Sequence, residues 1–116
     1  MSGTILLSDN YTYTGQILYN KPHGKGCFQY ANGDKYKGEC KYGKIDGYGT
    51  YTYLHSKYVG FFSNGKRHGI GTYEDQKNVY KGSWNNNKKN GKFFRTRKID
   101  CCTFAQEWVN DKLLVN

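Results

Sequence analysis

The run Tyr58-Val59-Gly60-Phe61-Phe62-Ser63-Asn64-Gly65-Lys66-Arg67-His68-Gly69-Ile70-Gly71-Thr72-Tyr73 decides the fold, because its spacing recurs through the chain. A Tyr followed two residues later by Gly opens each unit: Tyr13/Gly15, Tyr36/Gly38, Tyr58/Gly60 and Tyr80/Gly82. The starts lie 23, 22 and 22 residues apart, and a fixed period of this length marks a repeat architecture. With the opening Tyr as offset 0, a Gly stands at +11 in every unit (Gly24, Gly47, Gly69, Gly91). A second stands at +13 in three units (Gly26, Gly49, Gly71), with Phe93 in the fourth. Offset +4 holds Ile17, Cys40, Phe62 or Trp84, and +15 holds Phe28, Tyr51 and Tyr73, then Arg95. A partial fifth unit starts at Phe104, with Trp108 four residues on, and Ile5 to Asn10 reads as the tail of an earlier one.

Offsets 0, +2 and +4 share parity, as do +11, +13 and +15, so in strands each set lies on one face. The stretch from +5 to +10 reads as a turn: Leu18 to His23 in the first unit, Ser63 to His68 in the third, with Pro or Asn-Gly as turn residues. Each unit is therefore expected to be an antiparallel hairpin that pairs +2 with +13. Gly15 then faces Gly26, Gly38 faces Gly49 and Gly60 faces Gly71. The missing side chains leave a furrow for the flanking rings, which compensates for strand glycines that each cost about 0.5–1 kcal/mol against Ala. Positions of opposite parity are mostly polar (Thr14, Gln16, Lys37, Glu39, Lys41, Thr50, Thr52, Lys81, Ser83), giving one aromatic and one wet face.

These residues resemble the MORN repeat family, whose pattern runs Tyr-x-Gly-x-Trp, a Gly-containing turn, then His-Gly-x-Gly and an aromatic. The likeness is close over residues 58–73 and again at Glu107-Trp108-Val109-Asn110, and it covers roughly residues 11 to 114. Departures are Ile17 and Cys40 at the Trp position, Asn20 and Asn87 where a turn Gly is usual, and Phe93; they are expected to weaken single rungs. The resemblance implies organisation of assemblies or attachment, by protein scaffolding and in some members through phospholipid, and it implies no activity of the repeat itself.

The expected fold is all-β: an elongated, twisted, single-layer antiparallel sheet of tandem hairpins. Residues 1–12 form a partial unit or cap strand. Four repeats follow at 13–35, 36–57, 58–79 and 80–103, and 104–116 form a partial fifth repeat or cap, with a short helix over 105–115 as the competing reading. Four hairpins give eight strands, about 40 Å at 4.8 Å per strand. The exposed edges of such a solenoid need capping or pairing, and could join two copies of the chain.

Composition agrees with a thin sheet. Only 36% of the 116 residues are apolar, yet 17% are aromatic, with 15 Gly against a single Pro. A net charge of +9 favours polyanions such as anionic lipid head groups, nucleic acid or acidic protein faces. The densest run, Arg95 to Lys98, is too short for a nucleic-acid arm. Cys27, Cys40, Cys101 and Cys102 lack zinc-site spacing and read as free thiols of a reducing, cytoplasmic compartment. Cys101 and Cys102 would point to opposite faces in a strand. Neither a signal-peptide core nor an apolar spanning run is evident. Asn10-Tyr11-Thr12 matches a glycosylation pattern that would stay inert without export.

No catalytic constellation, metal site or cofactor loop is legible. His23 and His68 share offset +10 and read as turn residues, His55 stands alone, and Asp34, Asp46 and Asp75 are placed in loops. Three binding features remain. An aromatic face (Tyr13, Phe28, Tyr36, Tyr51, Tyr58, Phe62, Tyr73, Tyr80, Trp84) is left uncovered and suits a protein partner. Lysine recurs at +8 (Lys21, Lys44, Lys66, Lys88, Lys112), a ridge with one member about every 10 Å that suits an anionic bilayer. Val59, Phe61 and Ile70 form an apolar patch on the otherwise polar face. Rings committed to stacking on one another argue against single-stranded nucleic acid.

Overall fold

A computed structural model of the chain describes residues 1–8 and 11–115; Asn10, and with it the glycosylation pattern, lies outside them. The described residues form one sheet of eleven antiparallel strands in sequence order. They are β1 (Ser2–Ser8), β2 (Tyr11–Leu18), β3 (Lys21–Tyr30), β4 (Lys35–Lys41), β5 (Lys44–Thr52), β6 (Lys57–Ser63), β7 (Lys66–Glu74), β8 (Asn78–Asn85), β9 (Lys88–Arg97), β10 (Thr103–Val109) and β11 (Lys112–Val115). The body measures 46 × 24 × 20 Å, close to the roughly 48 Å that ten strand spacings require. Strands β1, β10 and β11 exceed the eight expected from four hairpins, and the competing helix over 105–115 is replaced by a hairpin of β10 and β11.

The predicted glycine pairing is present and runs further than expected. Gly15 faces Gly26, Gly26 faces Gly38, and the row continues through Gly49, Gly60, Gly71 and Gly82 to Phe93. Bare backbone thus crosses the sheet at right angles to the strands, within units and between them alike.

The turn differs from the expectation. Instead of six residues it has two, at +6 and +7: Tyr19-Asn20, Tyr42-Gly43, Asn64-Gly65, Asn86-Asn87 and Asn110-Asp111, all with φ between 47° and 86°. Paired positive φ values match the right-handed strand twist, and Asn and Gly tolerate them best. The remaining loop-like residues are absorbed by a bulge. On one strand +2 is followed by +4, while on its partner +13 is followed by +9, so His23, Gly24 and Lys25 together face Gln16. The freed Lys25 N–H donates to Gln16 Oε1 at 2.7 Å, and that of Tyr48 to Glu39 Oε1 at 2.6 Å. Gly24 and Gly47 bend the chain at φ 105°, a conformation costly for other residues. Asp46 consequently lies in β5 and not in a loop, whereas Cys101 and Cys102 fall between β9 and β10 and not in a strand.

Successive turns are tied to one another. Gly43 N–H donates to Pro22 O, Gly65 N–H to Ile45 O, Asn87 N–H to Arg67 O and Asp111 N–H to Lys89 O, at 2.7–2.9 Å. Side chains at +10 add a second tie: Tyr42 N–H donates to His23 Nδ1, Asn64 N–H to Asp46 Oδ2 and Asn110 N–H to Asn90 Oδ1. These bonds fix each hairpin to the one before it.

Candidate functional site: the aromatic face

In the first three units the opening Tyr lies across the glycine row of its own hairpin. A methyl group on Gly49 would stand 2.5 Å from Tyr36 Cζ and 2.6 Å from its Cε1, and Gly26 and Gly71 are filled in the same way by Tyr13 and Tyr58. The hydroxyls turn back to the backbone: Tyr13 donates to Gln16 O at 2.7 Å, Tyr36 to Glu39 O at 2.6 Å and Tyr58 to Phe61 O at 2.9 Å. The +4 residue of the next unit closes the ring from above. Cys40 Sγ donates to the Tyr13 hydroxyl at 3.6 Å, Phe62 meets Tyr36 edge-on at 5.3 Å, and Trp84 meets Tyr58 edge-on at 5.4 Å. Such pairs add about 0.5–1.5 kcal/mol each beyond buried area.

This packing corrects the expectation of an uncovered row of rings. Tyr13, Phe28, Tyr36, Tyr58, Phe62 and Trp84 are at most 6% exposed. A single layer hides them because the glycines let the rings lie flat, so the sheet itself acts as the second layer. They are core and offer no surface to a partner. Burial raises the Tyr58 phenol to about 12 and lifts Tyr13 and Tyr36 above their ordinary range. Of the named rings, Tyr51, Tyr73 and Tyr80 remain half-buried, and Tyr11, Tyr30, Tyr53 and Trp108 join them on that face.

Phe93 is no weak rung. It is fully buried and fills the space above Gly82 from the opposite strand, the place that the opening Tyr takes elsewhere. Tyr80 is therefore displaced outward, where Lys89 Nζ sits 4.1 Å from its ring and 4.3 Å from that of Trp108. Arg67, at the same offset one unit earlier, stacks 4.7 Å over Trp84 and 5.8 Å from Tyr73. Surrounding rings desolvate the Lys89 ammonium and lower its pKa. Arg67, Lys89 and Arg95 were not singled out from the sequence. Reading the +9 and +15 columns by parity would have placed them on the aromatic face.

The five +8 lysines all open a strand directly after a tight turn, lie on one edge of the rod, and are exposed. Phe61 and Ile70 are exposed on the polar face, with Val59 half-buried, and Tyr48 joins them with its ring 5.2 Å from that of Phe61. In the earlier units the positions of Phe61 and Ile70 hold the Gln16–Lys25 and Glu39–Tyr48 bulge bonds, so there the third unit replaces a polar device by an apolar one. His23 and His68 lie in β3 and β7 and not in turns, and His23 packs on Tyr42 of the next turn at 4.6 Å. The cysteines are free. Among the described residues no cluster of His, Cys, Asp or Glu could hold a metal ion, and no helix is long and apolar enough to cross a membrane.

A linear array of hairpins stapled by glycine-bedded tyrosines defines a β-repeat protein. The family model for the MORN repeat matches residues 13–35, 36–53, 58–78 and 80–92, and the chain belongs to the MORN repeat family. The repeat is a non-enzymatic module that generally serves interaction with proteins or membranes. Human and mouse Alsin are 45% identical to this chain over 40 residues, 34% of its length. The match spans about 2% of the length of those curated relatives.

Proposed function

We propose that the chain is a non-enzymatic scaffold that docks a protein partner on its aromatic face. The observation carrying this reading is the strip of half-buried rings, Tyr51, Tyr73 and Tyr80 with Tyr30, Tyr53 and Trp108, above a core that already satisfies the fold. Rings of this kind supply large contact area at small entropic cost, as at protein interfaces. The open edges β1 and β11 offer further pairing sites, including to a second copy. Free thiols suit a reducing cytoplasmic setting. The test is proximity labelling in cells with the chain and with a Tyr51→Thr/Tyr73→Thr/Tyr80→Thr variant of unchanged circular dichroism. Loss of labelled partners supports docking on this face, and an identical partner set from both proteins counts against it.

A second reading rests on the lysine edge, where five exposed ammonium groups stand about 10 Å apart, each worth about 1 kcal/mol near an anionic bilayer. Co-sedimentation with phosphatidylserine vesicles tests it. Binding that survives charge reversal at Lys21, Lys44, Lys66 and Lys88 removes this role.

A further inference from the structure

We propose that the C-terminal half of the aromatic face receives an acidic segment of a partner, held by Arg67, Lys89 and Arg95 against the rings beside them. The inference rests on the reading that this face docks a protein, and it names the chemistry of what docks. The first observation is a gradient along the rod. Offset +9 runs Pro22, Ile45, Arg67, Lys89, and offset +15 runs Phe28, Tyr51, Tyr73, Arg95. The fold fills these places with buried apolar groups in its first half, where Pro22, Phe28 and Ile45 sit in the core. Nothing in hairpin geometry requires cations at the same offsets in the second half.

The second observation is that these cations are positioned without an ion pair, Lys89 feeling Asp111 and Asp75 only at a distance. Arg67 gives an Nη2 hydrogen bond to Asn87 O at 3.0 Å while its Nε has no partner, and Arg95 donates to the amide oxygen of Asn78 at 2.9 Å. Lys89 lies between Tyr80 and Trp108, and Arg95 lies 4.8 Å over Phe104. Among the described residues none of the three is ion-paired, whereas the neighbouring Arg97 and Lys98 are closed by Asp100 and Glu74 at 2.6 Å. Ring faces hold the cations in place and strip their water, which raises what an incoming carboxylate can gain. Beside Arg95 an open cavity of about 620 Å³, lined by Lys77 and Asn78 among others, extends this surface toward the loop edge.

Geometry narrows the partner further. Arg67 and Lys89 occupy equivalent positions two strands apart, about 10 Å. A polyproline-II segment repeats its side-chain direction every three residues over about 9.3 Å, so acidic residues three apart face both cations. A bilayer meets the exposed edge lysines before these recessed groups. Nucleic-acid bases need open ring faces, and here those faces are taken by edge-on neighbours and by the cations.

Fluorescence anisotropy tests the inference with a labelled peptide carrying glutamate at every third position in a proline–serine background, and with its glutamine counterpart. The glutamate peptide is expected to bind about tenfold more tightly, and Arg67→Gln/Lys89→Gln is expected to abolish most of that difference. Lys66→Gln/Lys88→Gln, which lowers net charge equally on the edge, is expected to leave most of it. Equal binding of both peptides, or equal loss in both double variants, overturns the proposal. So does binding of phosphatidylserine vesicles that depends on Arg67 and Lys89 while the peptides fail. Should the glutamine variant melt early, Arg67→Met/Lys89→Met keeps the packing and is read in its place. If proximity labelling needs Tyr51, Tyr73 and Tyr80 but not the two cations, the docking face stands and only its acidic ligand falls.

Discussion

Replacing Gly49 by Ala tests the physical basis of the whole rod. Gly49 has no left-handed φ, so Ala fits its backbone and any penalty comes from contact alone. The new methyl would stand 2.5 Å from Tyr36 Cζ, and Tyr36 is 1% exposed, so the ring must leave its bed. Leaving breaks the hydroxyl bond to Glu39 O and the ring pairs with Phe28 and Phe62. Overpacking, one hydrogen bond and two ring pairs, less the gain of Ala over Gly in a strand, come to about 3–5 kcal/mol. Urea unfolding of Gly49→Ala, Tyr36→Leu and the double variant separates the clash from other effects. With the ring absent, Ala at 49 is expected to be neutral or mildly stabilising, which gives a coupling of about 3–6 kcal/mol. Since each repeat leans only on its neighbours, amide exchange should accelerate most in β3 to β6. A cost below about 1 kcal/mol for Gly49→Ala, or additive singles, would refute the claim that glycine beds hold the rings.

Three further outcomes follow from the packing. Phe93→Ala should cost about 3–5 kcal/mol, as for a fully buried ring, despite standing where the repeat elsewhere has Gly; a near-neutral urea midpoint would show the Gly82 furrow to be filled otherwise. Tyr58→Phe keeps the ring but removes the bond to Phe61 O, so a loss of about 1 kcal/mol is expected, and no loss would mean that water satisfies that carbonyl. Burial raises Tyr30 and Tyr58 from 10 to about 12. The unfolded chain therefore gives up these protons first, so stability is intact below pH 10 and is lost as pH climbs toward 12. Melting temperatures across that window, followed with tyrosinate absorbance, check this; full ionisation near pH 10 in a still-folded protein would contradict it.

Much of the architecture was legible because two periods coincide in the chain. The 22-residue recurrence identifies the unit, and parity within it sorts aromatic and glycine positions onto one face. Register followed directly, since only a pairing of +2 with +13 aligns bare backbone. The lysine edge was also readable, being set by position relative to the turn. What parity could not show was how far a ring lies over its neighbours. Tyr13, Tyr36 and Tyr58 looked like surface and are core, because burial in a single layer depends on the +4 residue of the following unit and on hydroxyls reaching carbonyls three residues on. The two-residue turn escaped notice because the bulge at Gly24 and its equivalents consumes residues that otherwise read as loop. Phe93 illustrates the same limit: its offset marked a defect, while the sheet brings it over Gly82 from the other strand. The cations Arg67, Lys89 and Arg95 became a group only when antiparallel pairing set Arg67 over Trp84, Lys89 between Tyr80 and Trp108, and Arg95 over Phe104. Sequence therefore determined the repeat, the register and the two faces, which are properties of local period. Tertiary structure decided which rings are hidden and which charges stand together, because those depend on contacts between units that no single period encodes.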